Sequence, residues 1–135
     1  QGMRVVLVDA DLRRPAVHEV FGVPREPGLS NVLVRQATLD QTLRPAPIEG
    51  LRILTAGTLP PNPAELLGSP AMDEVLEQLD RSADLVVLDT PPVLAAADAA
   101  VLRRAPYLYR YAIRPRVRSY GDNSTSTRSP FKIRM

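Results

Sequence analysis

Two apolar runs that each end in an aspartate constrain the fold of this chain more than any other feature. Val6–Val8 is followed by Asp9, and Leu85–Leu88 is followed by Asp89. Uninterrupted valine and leucine are typical of strands in a parallel sheet that is covered on both faces, and ligands of such sheets bind at the carboxyl ends of the strands. We therefore expect three carboxylates, those of Asp9, Asp11 and Asp89, to converge at one edge of a sheet.

Carboxylates at this edge suit Mg²⁺, a hard cation with octahedral oxygen coordination that also binds nucleotide phosphates. A complete site of that kind needs the P-loop motif G-x-x-x-x-G-K-[ST], whose backbone N–H groups surround the phosphates. The 135 residues contain one lysine, Lys132, and no glycine loop precedes it. The sequence therefore predicts the metal half of a nucleotide site without its phosphate half.

The composition is that of a soluble globular protein. Of the 135 residues, 44% are hydrophobic and 24% are charged, which is ordinary for one modest domain. No apolar run approaches the roughly 20 residues of a membrane-spanning helix. There is no cysteine, which excludes disulfides and thiolate metal sites and agrees with a reducing, cytoplasmic compartment.

Charge divides the chain into two parts. Residues 1–102 hold 8 basic and 14 acidic side chains, whereas residues 103–135 hold 9 basic and one acidic side chain. The second part is also rich in serine, threonine and asparagine between 119 and 130, a composition typical of disorder. We expect a folded domain over 1–104 and a basic tail over 105–135 that is disordered or an aberrant end, with no native packing beyond about residue 104.

Hydrophobic spacing and capping residues predict strands that alternate with helices. Strands are expected at 3–8, 51–55 and 83–88, and helices at 16–21, 30–35, 70–82 and 96–104, with a further helix that begins at Asn62-Pro63. One face of the 70–82 helix carries the apolar residues Met72, Val75, Leu76 and Leu79. This alternation favours right-handed βαβ units. The fold class is therefore α/β, with a mostly parallel sheet flanked by helices.

Six segments, in order along the chain, resemble the bacterial tyrosine autokinases of capsule and exopolysaccharide synthesis, which are relatives of the MinD/ParA-type P-loop ATPases. The segments are residues 8–15, similar to the Walker A′ motif; His18 with Phe21 and Gly22; 27–33; 54–57; 61–67; and 87–92, similar to Walker B. The similarity covers roughly residues 1–103. It implies a truncated P-loop NTPase domain whose Walker A segment lies before Gln1, and hence a fragment of the kinase that is inactive alone.

The resemblance also implies roles for three aspartates in the transfer of the γ-phosphoryl group of Mg·ATP to a tyrosine hydroxyl, and the chemistry of two further side chains makes them candidates for phosphate contacts. Asp11 and Asp89 would hold Mg²⁺, and Asp9 would accept the tyrosine proton. Arg13 and Thr90 would contact the phosphates of ATP, with Arg13 also suited to contact a neighbouring subunit. Other assignments stay open at this point: the three aspartates as caps of strands and loops, Arg13 as a solvated side chain, and Thr90 as part of a turn.

The expected partner, again by resemblance, is a membrane adaptor of polysaccharide export at the inner face of the plasma membrane, with homo-oligomers as a further option. No nucleic-acid partner is expected. His18, the single histidine, is expected to be structural, and the tyrosines of the tail are not expected to be phosphorylation sites. Two other functions remain as alternatives: a MinD/ParA-like ATPase switch, and a non-catalytic binding module that uses the basic tail.

Overall fold

The computed structural model describes residues 2–90 and 111–114. The strands within these ranges are β1 Val5–Asp9, β2 Arg44–Pro45, β3 Leu51–Leu54, β4 Leu85–Asp89 and β5 Tyr111–Arg114. The helices are α1 Val17–Phe21, α2 Leu29–Leu33, α3 Leu39–Thr42, α4 Pro63–Leu67 and α5 Pro70–Ser82.

All the strands belong to one sheet with the order β2-β3-β1-β4-β5. β1 lies at the centre and pairs in parallel with β3 on one side and β4 on the other, while β5 pairs in parallel with β4. The short β2 is antiparallel to β3. The expected fold class, α/β with a mostly parallel sheet flanked by helices, is confirmed.

The main core lies on the sheet face that carries Val6 and Val8 of β1. α5 packs on this face through its buried residues Met72, Val75, Leu76 and Leu79, the stripe expected from their spacing. α2 and α4 complete the layer. Because burial of one leucine side chain stabilises a fold by roughly 1.5–3 kcal/mol, this stripe alone fixes α5 against the sheet.

The opposite face of the sheet is covered by a smaller cluster. Leu7 of β1 and Ile53 of β3 pack against Val17 of α1, with Phe21 at the border. α1 ends at Gly22, which adopts the left-handed conformation (φ 63°) and donates its N–H to the carbonyl oxygens of the helix. This ending fits the preference of glycine for the position after a helix. It limits α1, which lies over Leu7, to about one and a half turns.

The expectation of no native packing beyond residue 104 is wrong for four residues. Tyr111–Arg114 forms β5, whose Ala112 and Ile113 are the Cα partners of Val87 and Leu88 in β4. The outer side of β4 offers N–H and C=O groups to any segment that can extend beside it, and neither the positive charge nor the polarity of the tail prevents such pairing. The domain boundary at 104 stays a prediction, and the helix expected at 96–104 lies outside the described residues.

Across residues 2–90 and 111–114, no helix is both long enough and apolar enough to cross a bilayer.

Candidate functional site

Asp9 and Asp89 lie next to each other at the carboxyl ends of β1 and β4. They are Cα partners in the parallel register of the two strands, and the N–H of Ala10 donates to the carbonyl oxygen of Asp89 at 2.9 Å. Neighbouring strands are about 4.8 Å apart. Two of the three carboxylates singled out in the sequence therefore meet at one edge of the sheet, as expected.

The carboxylate of Asp9 is buried and connects β1 to the start of α1. One oxygen, Oδ1, accepts a hydrogen bond from the N–H of Asp11 at 3.2 Å. The other, Oδ2, accepts from the N–H groups of Ala16 at 3.2 Å and Val17 at 3.1 Å. Asp9 thus closes the loop between the strand and the helix, a structural role that exists beside any chemical one.

Burial is the main cause that raises the pKa of Asp9 to about 6. The hydrogen bonds from Val17 and Asp11 favour the charged form and lower the pKa, whereas the negative charge of Asp89 raises it further. A carboxyl group with a pKa this close to neutral can both gain and lose a proton under physiological conditions. This is the property that general acid and base catalysis requires.

Asp11 lies in the loop after β1 and does not continue the strand. Its Oδ1 accepts hydrogen bonds from the N–H groups of Arg13 at 3.2 Å and Arg14 at 3.0 Å, so the side chain shapes its own turn. Within the described part of the chain, no three Asp, Glu or His side chains are grouped so that they could hold a metal ion. The structure thus brings Asp9 and Asp89 together, while the convergence of Asp11 with them stays a prediction, because the alternation of a strand ends at Asp9.

The chemistry of this edge still fits Mg²⁺. Asp9 and Asp89 offer only oxygen donors, with Asp11 two residues beyond. Mg²⁺ usually takes one or two protein carboxylates and completes its octahedral shell with water and phosphate oxygens, so it does not need a cage of three. The metal-binding roles of Asp11 and Asp89 remain predictions.

Arg13 and Thr90 follow the aspartates in sequence. Arg13 is exposed on the loop after Asp11, while Thr90 directly follows Asp89 and is 5% exposed. Their contacts with nucleotide phosphates remain predictions.

Sequence reasoning missed a hydrogen-bonded junction at the neighbouring strand end. The residues after β3, Thr55–Thr58, run alongside the start of α2, where the N–H of Leu29 donates to the carbonyl oxygen of Thr55 at 2.7 Å and that of Ser30 to Ala56 at 2.9 Å. Asn31 links the two segments through its side chain. The sequence signal that could have indicated this junction was the pair of glycines, Gly28 and Gly57. Ser30-Asn31 by itself indicated only the start of a helix.

Comparison with known sequences shows that the chain is similar to bacterial tyrosine-protein kinases. It is 44% identical over 102 residues to the tyrosine-protein kinase YwqD of Bacillus subtilis (strain 168), and 42% identical over 102 residues to the tyrosine-protein kinase etk of Escherichia coli (strain K12). The chain is a homologue of bacterial tyrosine-protein kinases. Both alignments cover 76% of this chain, which spans 43% of YwqD and 14% of etk. No family model matches the chain.

Solved structures with the fold of this chain include a tyrosine kinase domain, a chimerical protein and a cell division ATPase. The kinase domain of Escherichia coli ETK matches with a TM-score of 0.72 at 42% identity, covering 76% of this chain and 40% of that chain. The chimerical protein CapA2B2 matches with a TM-score of 0.74 at 32% identity, covering 90% and 52%. The cell division ATPase MinD of Pyrococcus furiosus, at 19% identity and a TM-score of 0.52, shares the fold alone. The resemblance to tyrosine autokinases drawn from six sequence segments is confirmed.

Proposed function

We propose that this chain is part of an ATP-dependent protein-tyrosine autokinase that regulates capsule or exopolysaccharide synthesis. The part in hand carries the Walker A′ and Walker B motifs of that kinase. The observation that carries the proposal is the register of β1 and β4, which puts Asp9 beside Asp89 at the carboxyl edge of a parallel sheet. Homology to tyrosine-protein kinases over 76% of the chain supports the same reaction. The polysaccharide role rests on the sequence motifs.

In the proposed reaction, Asp9 accepts the proton of the acceptor tyrosine hydroxyl. Oδ1 of Asp9 accepts the N–H of Asp11, and a carboxylate oxygen can accept two hydrogen bonds. Its raised pKa, about 6, places the group in the range suited to such a transfer. The bonds to Ala16 and Val17 keep the carboxylate in one orientation during the reaction.

Asp11 and Asp89 are proposed to hold Mg²⁺, directly or through water, and Arg13 and Thr90 to contact the phosphates of ATP. A bound Mg²⁺ supplies charge neutralisation for the transferred phosphoryl group. The exposed guanidinium of Arg13 suits bidentate recognition of phosphate oxygens. The hydroxyl of Thr90, directly after Asp89, can donate one hydrogen bond to the same group.

We further propose that the phosphate-binding loop is supplied by a polypeptide segment outside these 135 residues, so the chain is a fragment that does not transfer phosphate by itself. The sequence contains no G-x-x-x-x-G-K-[ST] motif. Loss of one preorganised donor in an active site costs roughly 3–4 kcal/mol, which lowers the rate by two to three orders of magnitude. A missing loop removes several such donors.

The proposed partner is a membrane adaptor of polysaccharide export, which would keep the kinase at the inner face of the plasma membrane. Support comes from the resemblance of the motifs and from the likeness to the solved chimera CapA2B2. Homo-oligomers fit the exposed Arg13, which can reach a neighbouring subunit. No nucleic-acid partner is proposed.

The test is a chimera in which the residues of this chain replace the aligned 102 residues of YwqD. Phosphotyrosine formation with Mg·ATP is measured by mass spectrometry. We expect activity in the chimera and a loss of at least about 100-fold in Asp9→Asn and Asp89→Asn. Asp84→Asn is the matched control, because Asp84 is an exposed aspartate adjoining the opposite end of β4.

The alternatives predict different results in the same experiment. ATP turnover and nucleotide-dependent dimerisation without phosphotyrosine would replace the kinase by a MinD-like switch. If neither reaction is seen, and deletion of 105–135 abolishes salt-sensitive binding of the 135-residue chain to anionic lipid or nucleic acid, the chain is a binding module instead.

A further inference from the structure

The side chain of Asn31 uses its full hydrogen-bonding capacity to join two segments. Its Oδ1 accepts from the N–H of Gly28 at 3.0 Å and from the N–H of Thr58 at 3.2 Å. Its Nδ2 donates to Oγ1 of Thr58 at 3.0 Å and to Oε1 of Gln36 at 3.1 Å. Asn31 is 8% exposed, and a buried amide that is fully satisfied in this way specifies one arrangement of its neighbours.

The joined segments are also in tight contact through two glycines. A Cβ atom on Gly28 would overlap the carbonyl oxygen of Thr55, and a Cβ on Gly57 would overlap the side chains of Ser30 and Asn31. Gly57 has a φ of 86°, a conformation that favours glycine. We call the set of Gly28, Ser30, Asn31, Gly57 and Thr58 the clamp.

The clamp fixes the segment that borders Asp9 on the side away from Asp89. β3 and β4 lie on opposite sides of β1, and Leu54, the last residue of β3, is the Cα partner of Val8. Thr55 therefore continues β3 next to Asp9. Thr55 and Ala56 are both fully buried, and Oγ of Ser30 adds a 2.6 Å hydrogen bond to the carbonyl oxygen of Thr58.

Asp89 and Thr90, which are proposed to bind Mg²⁺ and ATP, lie on the other side of Asp9, at the end of β4. If the nucleotide occupies that side, the side of β3 is left for the tyrosine whose proton Asp9 accepts. We propose that Asn31 is a positioning residue that holds Thr55–Thr58 as the wall on the acceptor side of Asp9. This rests on the proposed kinase function, and the acceptor is a polypeptide segment that presents a tyrosine to this wall.

The first test uses amide hydrogen exchange, measured by NMR on the 135-residue chain. In Asn31→Ala, the amides of Gly28 and Thr58 lose their acceptor, and we expect both to exchange at least about tenfold faster while amides of β1 and β4 keep their protection. Asn31→Asp retains an oxygen for both amides and restores their protection. Unchanged exchange at Gly28 and Thr58 in Asn31→Ala would overturn the proposal.

The second test measures autophosphorylation kinetics in the chimera with YwqD described above. For Asn31→Ala, we expect kcat per folded molecule to fall about 10- to 100-fold with KM for ATP nearly unchanged, because only the acceptor side is displaced. Asn31→Asp restores kcat. Thr38→Ala, which removes the side-chain cap of α3 and changes no residue of the clamp, controls for lost stability and keeps the kcat of the wild type.

The outcomes separate the two proposals. A wild-type kcat in folded Asn31→Ala, or a rise in KM for ATP without a fall in kcat, contradicts the positioning role. A wild-type protein that binds Mg·ATP but forms no phosphotyrosine refutes the kinase function, whereas the exchange of the Gly28 and Thr58 amides still decides whether Asn31 holds the wall.

Discussion

The two ends of the central strands place aspartates in opposite surroundings. At the carboxyl ends, Asp9 is fully buried beside Asp89, and burial raises its pKa to about 6. At the amino ends, Asp84 is exposed and accepts hydrogen bonds from the backbone N–H of Arg4 at 2.7 Å and its guanidinium at 3.1 Å, which hold the pKa of Asp84 below its usual value. Surroundings, and not residue type, therefore decide which carboxyl group can exchange protons near neutral pH.

Two glycines, one beside Asp9 and one before β1, differ in the space around them. Gly28 is buried at the carboxyl edge, where an added Cβ would overlap backbone atoms of Thr55 and Gly57, whereas a Cβ on Gly2, before β1, would meet no atom within 4 Å. The backbone beside Asp9 is thus sterically constrained at Gly28, and the chain just before β1 is open at Gly2, although a Cβ on Gly50, before β3, would also overlap the carbonyl oxygen of Met3. Constraint and altered proton affinity coincide at the edge where the proposed chemistry takes place.

The largest expected effect comes from breaking the steric constraint. Gly28→Ala forces a methyl group against the backbone of Thr55, and we expect it to lower the free energy of unfolding by about 3 kcal/mol or more. Gly2→Ala is the matched control and should change it by less than about 0.5 kcal/mol. Urea denaturation followed by circular dichroism measures both, and equal midpoints for the two variants would contradict the contrast.

The next effect is a pH dependence that Asp9 produces. Because the pKa of Asp9 in the folded state is raised to about 6, the folded protein retains a proton that the unfolded chain has already lost. Asp9 therefore contributes stability below about pH 4, and this contribution is lost as the pH rises through about 6, a total on the order of 2–3 kcal/mol. The contribution of Asp9 is isolated by comparing the unfolding free energies of the wild type and of Asp9→Asn between pH 4 and 7. If the two free energies change with pH in parallel, the pKa of Asp9 is not raised.

A smaller effect is expected from magnesium. If Asp89 contributes to a weak metal site, Mg²⁺ at about five times its dissociation constant should raise the free energy of unfolding by roughly 1 kcal/mol. Asp89→Asn should abolish this stabilisation and Asp84→Asn should retain it, since Asp84 lies at the other edge. Thermal melts with and without Mg²⁺ provide the measurement, and equal stabilisation of both variants would show that the ion binds elsewhere.

The smallest effect should come from the exposed ion pair itself. Asp84→Asn removes the charge that faces Arg4, but both side chains are solvated, so water and salt screen their attraction. We expect no resolvable shift of the urea midpoint at 0.15 M salt. A clear loss of stability would mean that the amino edge is as constrained as the carboxyl edge.

Much of the sheet could be predicted because local sequence determines it. The helix expected at 70–82 has these bounds in α5, since Ser69-Pro70 begins it and its apolar stripe is regular. The meeting of Asp9 and Asp89 followed from the parallel register of two similar apolar runs. These features depend on hydrophobic periodicity and on the geometry of adjacent strands, both of which a sequence displays.

Other features depend on contacts between distant residues and could not be predicted. The link from Asn31 to Thr58 spans 27 positions, and nothing nearby distinguishes Asn31 from an ordinary residue of a first helical turn. The turn made by Asp11 depends on β1 ending at Asp9, a boundary that sequence alone does not define. The strand β2 has only two residues, which extend because β3 is available to pair with them.

That short strand also limits how the protein can associate. β2 is the outermost strand on its side of the sheet, and it consists of Arg44 and Pro45. A proline has no N–H to donate, and a charged arginine resists close approach by a further strand. The addition of a further strand is therefore disfavoured on this side of the sheet, which protects it from edge-to-edge aggregation.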